Sequence, residues 1–165
     1  MHAPKYEELP AHLGNLIVAF NELEIALGGA LMRILGNVDE YTGAVFVSVL
    51  GFRQKYDLLR ALSIKIQNQS LKDEFLEALE SAKFISEERN RYVHAGYTTF
   101  MRDHNTIEVI VHQRLRDFAK ENLYDVENES LKYIHPINLP HLAELTDDAS
   151  ALAFSILQLS EKFDK

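Results

Sequence analysis

The sequence predicts a mainly helical protein, an up-and-down bundle of four to five long helices with a β-hairpin inserted before the last one. Three observations lead there. Apolar residues recur at three- and four-residue steps through several long stretches, the mark of helices with one buried face. The pattern changes to strand-forming residues once, just beyond Gly96. The 165 residues suffice for one well-buried core and are short for two, and no repeat, low-complexity run or linker divides them. Residues 1–165 therefore read as one domain.

Pro10 sits where a first helical turn accepts proline, and a long helix is expected after it. Leu13, Leu16, Ile17, Phe20, Leu23, Leu27, Leu31 and Ile34 form its apolar stripe, and Gly36-Asn37 ends it. Glu24 falls at the edge of that stripe, where a carboxylate wants a partner. Gly28-Gly29-Ala30 lets a second backbone approach closely. A second helical region is expected from about residue 39 to 67. Its stretch 43–50 is apolar nearly all round and passes as a buried helix or as a strand. Gly51 either kinks the region or divides it.

Ser70 with Asp73 resembles a capping box and is expected to start the third long helix. Leu71, Phe75, Leu79, Ala82, Ile85, Tyr92 and Val93 supply its buried side, and Glu74, Glu77, Glu80, Glu87 and Glu88 its wet one. Beyond Gly96, residues 97–101 and 106–112 read as strands around a turn at 103–105, a hairpin spanning about 97–113. A short helix is expected around 115–122, and 131–135 offers a third short strand. Asn138 is an expected N-cap with Pro140 in the first turn of the last helix.

Composition removes several chemistries. Without cysteine there is no disulfide, thiol nucleophile or thiolate metal site, which fits a reducing compartment. The N-terminus lacks the basic and apolar regions of a signal peptide, and no stretch is expected to span a membrane. A cytoplasmic protein is the expectation. No glycine-rich phosphate loop, His-Glu-x-x-His or Glu-x-x-His pattern is present, so neither cofactor nor metal is expected. The net charge of −8 argues against broad coating of nucleic acid. Two stretches nevertheless sum to +3 each: 51–66, with Arg53, Lys55, Arg60 and Lys65, and 89–116, with Arg89, Arg91, Arg102, Arg114 and Arg116. Such islands are either solvated faces or a local cleft for a phosphate-bearing target.

The chain's most informative stretch is Glu87-Glu88-Arg89-Asn90-Arg91-Tyr92-Val93-His94-Ala95-Gly96. On a helix, Asn90 and His94 stack on one face with Arg89 alongside, and Gly96 is expected to stop the helix. Arginine offers a permanent fork for phosphate, and histidine exchanges a proton near neutral pH. Together they can perform acid–base chemistry on a phosphodiester. The plainer reading pairs Arg89 with a carboxylate and leaves His94 to cap the helix.

Arg89, Asn90 and His94, with four residues between arginine and histidine at the end of an amphipathic helix, resemble the signature of the HEPN family (higher eukaryotes and prokaryotes nucleotide-binding). Glu24 on the first helix and the run Gly51-Phe52-Arg53-Gln54-Lys55-Tyr56-Asp57-Leu58-Leu59 are similar to corresponding regions of that family. The resemblance covers roughly residues 10–97 and the final helix, and makes the hairpin an insertion. It implies a metal-independent endoribonuclease, a toxin or defence component, in which a homodimer gathers two copies of the motif at its interface. The RNA 2′-OH would be the nucleophile. His94 would be general acid or base, Arg89 would hold phosphoryl charge, and Asn90 would orient phosphate or His94. Glu24 would support Arg89 or Asn90, and Arg91 would contact substrate. One subgroup, paired with nucleotidyltransferase antitoxins, carries tyrosine two residues after the histidine. Here Gly96 holds that position and Tyr97 follows. The alternative implication is a non-catalytic HEPN-like dimer that binds nucleotide or protein. Neither DNA nor a membrane is an expected partner.

Overall fold

The computed structural model describes residues 8–36, 39–103, 106–112, 124–125, 130–131 and 134–163. Five helices are described: α1 (Leu9–Leu35), α2 (Glu40–Ser48), α3 (Phe52–Leu62), α4 (Gln69–Val93) and α5 (Leu139–Ser160). Three are long, at 27, 25 and 22 residues, and two are short. The expected count of four to five long helices is corrected accordingly. Gly51 divides the second region outright: α2 stops at Ser48, and the Gly51 N–H donates to Gln54 Oε1 at 2.8 Å to open α3. A 3₁₀ turn, Ser63–Lys65, extends α3.

Local chemistry explains the helix ends. Pro10 lies in the first turn of α1, and Gly36 closes it with φ of 59°, a conformation that penalises any side chain. The start of α4 corrects the expectation at Ser70. Asn68 is the cap, its Oδ1 accepting from the Leu71 N–H at 3.1 Å, while Ser70 Oγ donates to Glu74 Oε1 at 3.4 Å and Asp73 Oδ1 accepts from Gln69 Nε2 at 2.7 Å. Asn138 caps α5 as expected, accepting from the His141 N–H at 3.1 Å. Asp39 caps α2 through the Thr42 N–H, and the Thr42 hydroxyl, with that N–H second, holds its carboxyl below the usual range.

One apolar cluster joins the helices. α1 is its axis: Leu16, Leu23, Leu27 and Leu31 are fully buried. By length and composition α1 could cross a membrane, with mean hydropathy 1.3 over its most apolar window, half of which is buried inside the protein. Phe75 of α4 meets the Phe163 ring edge-on at 4.9 Å.

Side-chain contacts fix the directions. Glu22 meets Ser150 and Arg33 meets Glu161, so α1 and α5 run the same way. Glu88 lies by His141 and Phe75 by Phe163, so α4 runs against α5. Phe52 lies by Phe20, and Lys65 donates to the Ile34 carbonyl, so α3 follows the direction of α1.

Gly28-Gly29-Ala30 is occupied within the chain. A Cβ on Gly28 would stand 2.6 Å from Val47 Cγ1 of α2, and one on Gly29 would stand 3.4 Å from Leu157 Cδ2 of α5. Ala30 is fully buried. The stretch does admit close neighbours, and they are α2 and α5 of the same chain. α2 also corrects the expectation of burial at 43–50. Of its residues only Gly43 is buried, and Tyr41, Val45, Phe46 and Val49 are exposed.

Between α4 and α5 the described backbone is extended. Gly96–Asp103 lies antiparallel to Thr106–His112, with Gly96 opposite His112, and Ile134–Pro136 lies beside the latter. Tyr124–Asp125 pairs with Ser130–Leu131. The turn expected at residues 104 and 105, and the short helix expected around 115–122, lie outside the described residues.

Candidate functional site

The stretch 87–96 forms the last turns of α4 and its exit. The helix ends at Val93, not at the glycine, and His94 is its C-cap at φ −102° and ψ 10°. The His94 N–H reaches the Asn90 carbonyl at 3.2 Å, so the two remain one turn apart with His94 exposed. Gly96 instead begins the extended segment.

Arg89 is held from two sides. Its guanidinium carbon lies 4.9 Å from the centroid of the Phe20 ring on α1, a cation–π arrangement. Its Nη1 donates to Asn90 Oδ1 at 2.9 Å. Phe20 in turn packs on Phe52 of α3 at 5.4 Å, and Phe52 stacks on Tyr56 at 6.4 Å. The arginine thus rests on an aromatic column spanning two helices. Among the described residues its Nε is buried without a hydrogen-bond partner, an unusual state for so strong a donor.

Glu24 does not join this group among the described residues. Arg89 turns to Phe20, one helical turn earlier on α1, and Asn90 receives its Nη1. At Glu24 the backbone carbonyl accepts from the buried Lys55 Nζ at 3.3 Å. Among the described residues, the Glu24 carboxylate makes no ion pair or hydrogen bond with Arg89 or Asn90.

Arg91 is engaged elsewhere as well. Its Nη1 lies 2.6 Å from Glu88 Oε1, and Glu88, expected on the wet face, is buried. The other Glu88 oxygen faces His141 Nε2 of α5 at 3.6 Å, and His141 Nδ1 faces Glu144 at 3.9 Å. No motif in the sequence singles out His141. The only hint was its place in the first turn after the Asn138 cap. The Tyr92 ring lies 6.0 Å from that of His141.

Tyr97 serves the helix exit. Its hydroxyl donates to the Tyr92 carbonyl, one of the acceptors that a helix C-terminus leaves open. Burial, with the neighbouring Tyr92 second, pushes the Tyr97 phenol up to about 12. It anchors the turn that carries His94 and is not presented to solvent as a reacting group.

The cations of the 51–66 island are engaged separately. Lys55 and Lys65 bond main-chain carbonyls, Arg53 lies 3.8 Å from Asp57, and Arg60 lies 3.6 Å from Glu80. Tyr56 donates to the same Glu80 at 2.6 Å, and burial followed by that bond raises its phenol. Arg114 and Arg116 of the second island lie outside the described residues. Among the described residues, no group of three histidine, aspartate or glutamate side chains is placed to hold a metal ion. Neither a protein-family model, a curated protein nor a solved structure matches the chain.

Proposed function

We propose that the chain is a HEPN-type endoribonuclease: an up-and-down helical bundle with a hairpin insertion, working in the cytoplasm as a homodimer and needing no metal. The observation that carries this reading is the pairing of a preorganised guanidinium with an exposed histidine. Arg89 is fixed by Phe20 and Asn90, and His94 stands exposed at the helix cap one turn beyond Asn90.

The chemistry requires little else. The ribose 2′-OH attacks the adjacent phosphorus, forming the 2′-O–P bond as the P–O5′ bond breaks. The 2′ proton passes to a base and the 5′ oxygen takes one from an acid, and His94 fills one of these roles in each protomer. Arg89 holds the charge growing on the phosphoryl oxygens, and its fixed position removes reorganisation cost at that moment. The products are a 2′,3′-cyclic phosphate and a 5′-hydroxyl. A toxin or defence role, with a nucleotidyltransferase-type partner, belongs to the same proposal.

The test is incubation of the purified protein with labelled RNA in excess EDTA. Cleavage is expected to persist, to leave the cyclic phosphate, and to spare substrates with deoxyribose at the cleaved position. His94→Ala is expected to lower the rate by about 10²–10⁴-fold, the usual contribution of a positioned acid or base. Arg89→Lys is expected to fail too, because an ammonium cannot reproduce the fork. Cleavage that needs magnesium, or that survives His94→Ala, sinks the proposal.

The second reading, a non-catalytic HEPN-like dimer binding nucleotide or protein, has one observation in its favour. The Arg89 Nε is buried, Nη1 is engaged by the Asn90 amide, and one face of the guanidinium lies on the Phe20 ring. On that reading the wild-type protein is inactive and Arg89→Ala lowers stability by about 1–2 kcal/mol through lost packing and cation–π contact.

A further inference from the structure

Glu88 is the one carboxylate buried among the described residues, although the pattern of α4 puts it on the wet side. The first turn of α5 lies over it. One Glu88 oxygen is 2.6 Å from Arg91 Nη1 of the same helix, and the other faces His141 Nε2 at 3.6 Å. The second ring nitrogen, His141 Nδ1, faces Glu144 Oε2 at 3.9 Å, and the Tyr92 ring stands 6.0 Å from the imidazole. Arg91 and Glu144 are open to solvent, whereas Glu88 is buried and His141 half-buried. Among the described residues, Glu88–His141 is the one polar side-chain contact between α4 and α5. It lies one residue before Arg89.

A neutral imidazole carries a single N–H, so it can donate to one carboxylate while turning a lone pair toward the other. The protonated ring donates from both nitrogens and meets both carboxylates as a cation. Burial of Glu88 reduces the screening of that attraction by salt. The charged and titratable groups around the ring, among the described residues, are Glu88, Arg91 and Tyr92 from α4 and Glu144 from α5. Arg91 limits the effect. It stays on Glu88 when the ring loses its proton, so the carboxylate is never left bare and the helices loosen without parting.

We infer that Glu88 and His141 form a pH-sensitive clasp across the end of α4, closed while the ring carries its proton and loosened when it loses it. Histidine is the side chain whose charge changes between about pH 5 and 8. The contribution is full at the acidic end of that range and lost as pH rises, because only the folded chain sets the ring between two carboxylates. The turn it secures leads directly into Arg89, Asn90 and the His94 cap, so the clasp regulates the order of the candidate site. It does not depend on ribonuclease activity.

The experiment is amide hydrogen exchange on the full chain at about pH 5.5 and about pH 8, corrected for the intrinsic effect of pH on exchange. In the wild type, protection of the amides of residues 90–94 is expected to fall about three- to fivefold between the two, the size of a partly exposed ion pair. In Glu88→Gln and in His141→Gln that fall is expected to disappear, because neither retains a titrating pair. His141→Lys, which keeps a cation facing Glu88 at both pH values, is expected to hold the protection at the higher one. The amides of residues 75–82, farther back on α4, should respond alike in all four proteins. A wild type whose protection does not change with pH, or a fall that persists undiminished in Glu88→Gln, overturns the inference. A clasp found in a protein that cleaves no RNA leaves it standing and removes only the ribonuclease.

Discussion

Replacing Gly28 by alanine tests the seat on which α2 rests. The new methyl would lie 2.6 Å from Val47 Cγ1, where carbon atoms ordinarily sit at 3.5–4.0 Å, so the helices must part by about 1 Å. Val47 cannot turn aside easily, because a β-branched side chain in a helix has one strongly preferred rotamer. Overpacking of this kind costs about 1–3 kcal/mol. Against it stands the gain of about 1 kcal/mol from placing alanine instead of glycine in a helix interior. The net expectation is a loss of about 1 kcal/mol, within a range of roughly 0–2. In a Val47→Ala background the clash disappears and only the propensity gain remains, so Gly28→Ala should then stabilise by about 0.5–1 kcal/mol. Urea denaturation of the four proteins measures the cycle, and the expected coupling of about 1–3 kcal/mol is well above the error of additivity at independent sites. If Gly28→Ala stabilises equally in both backgrounds, α2 does not sit against α1 at Gly28.

Tyr97→Phe should lower stability by about 1 kcal/mol, the net worth of a hydrogen bond, as checked by thermal melts. The raised phenol adds a pH signature. At neutral pH Tyr97 is protonated whether folded or unfolded, but between about 10 and 12 only the unfolded chain ionises it, so stability falls across that window. Tyr97→Phe should remove the latest step of the tyrosinate absorbance titration and flatten part of that fall. Glu88→Ala should cost about 1–3 kcal/mol, because it frees a buried position that binds Arg91 and faces His141. His141→Ala should cost much less once Glu88 is gone, which a double-mutant cycle reads directly. Phe20→Leu should keep most apolar burial yet leave Arg89 without a ring, lowering any RNA cleavage more than it lowers the melting temperature.

The long helices were legible because burial imposes period 3.6 on any residue facing the core. Leu16, Leu23, Leu27 and Leu31 on α1, and Leu142, Leu145 and Ile156 on α5, lie where the spacing puts them. Pro10, Gly36 and Asn138 marked ends through chemistry confined to a single turn. What failed involved a choice between partners, which no local pattern encodes. An apolar run such as 43–50 is equally consistent with a buried helix and with one largely exposed, as α2 is. Ser70 and Asn68 are both good caps, and the tertiary position of the α3–α4 turn chose between them. At the candidate site, Arg89, Asn90 and His94 are neighbours by helix geometry and were therefore visible. Phe20 was read only as core, because a ring's edge can fill the core while its face carries a cation. Glu24, placed beside Arg89 or Asn90 by its position on α1 and by the family resemblance, lies one turn beyond the ring on which the arginine rests.

The contacts also connect α2 to the candidate site. α2 passes through Val49-Leu50-Gly51 directly into Phe52, and Phe52 packs on the Phe20 that carries Arg89. α2 and the arginine are thus joined by one tight turn and two side chains, Phe52 and Phe20. Packed cores transmit displacement poorly as gradual deformation and well as rigid units. Whatever holds α2 in place therefore also holds Phe52, the support beneath Phe20. The link is open to experiment. Gly28→Ala, which parts α2 from α1, touches neither Phe20 nor Arg89, so loss of cleavage beyond the loss of stability would mean that the site depends on the seat of α2. Cleavage retained in full would mean that Phe20 and Arg89 hold their places without it.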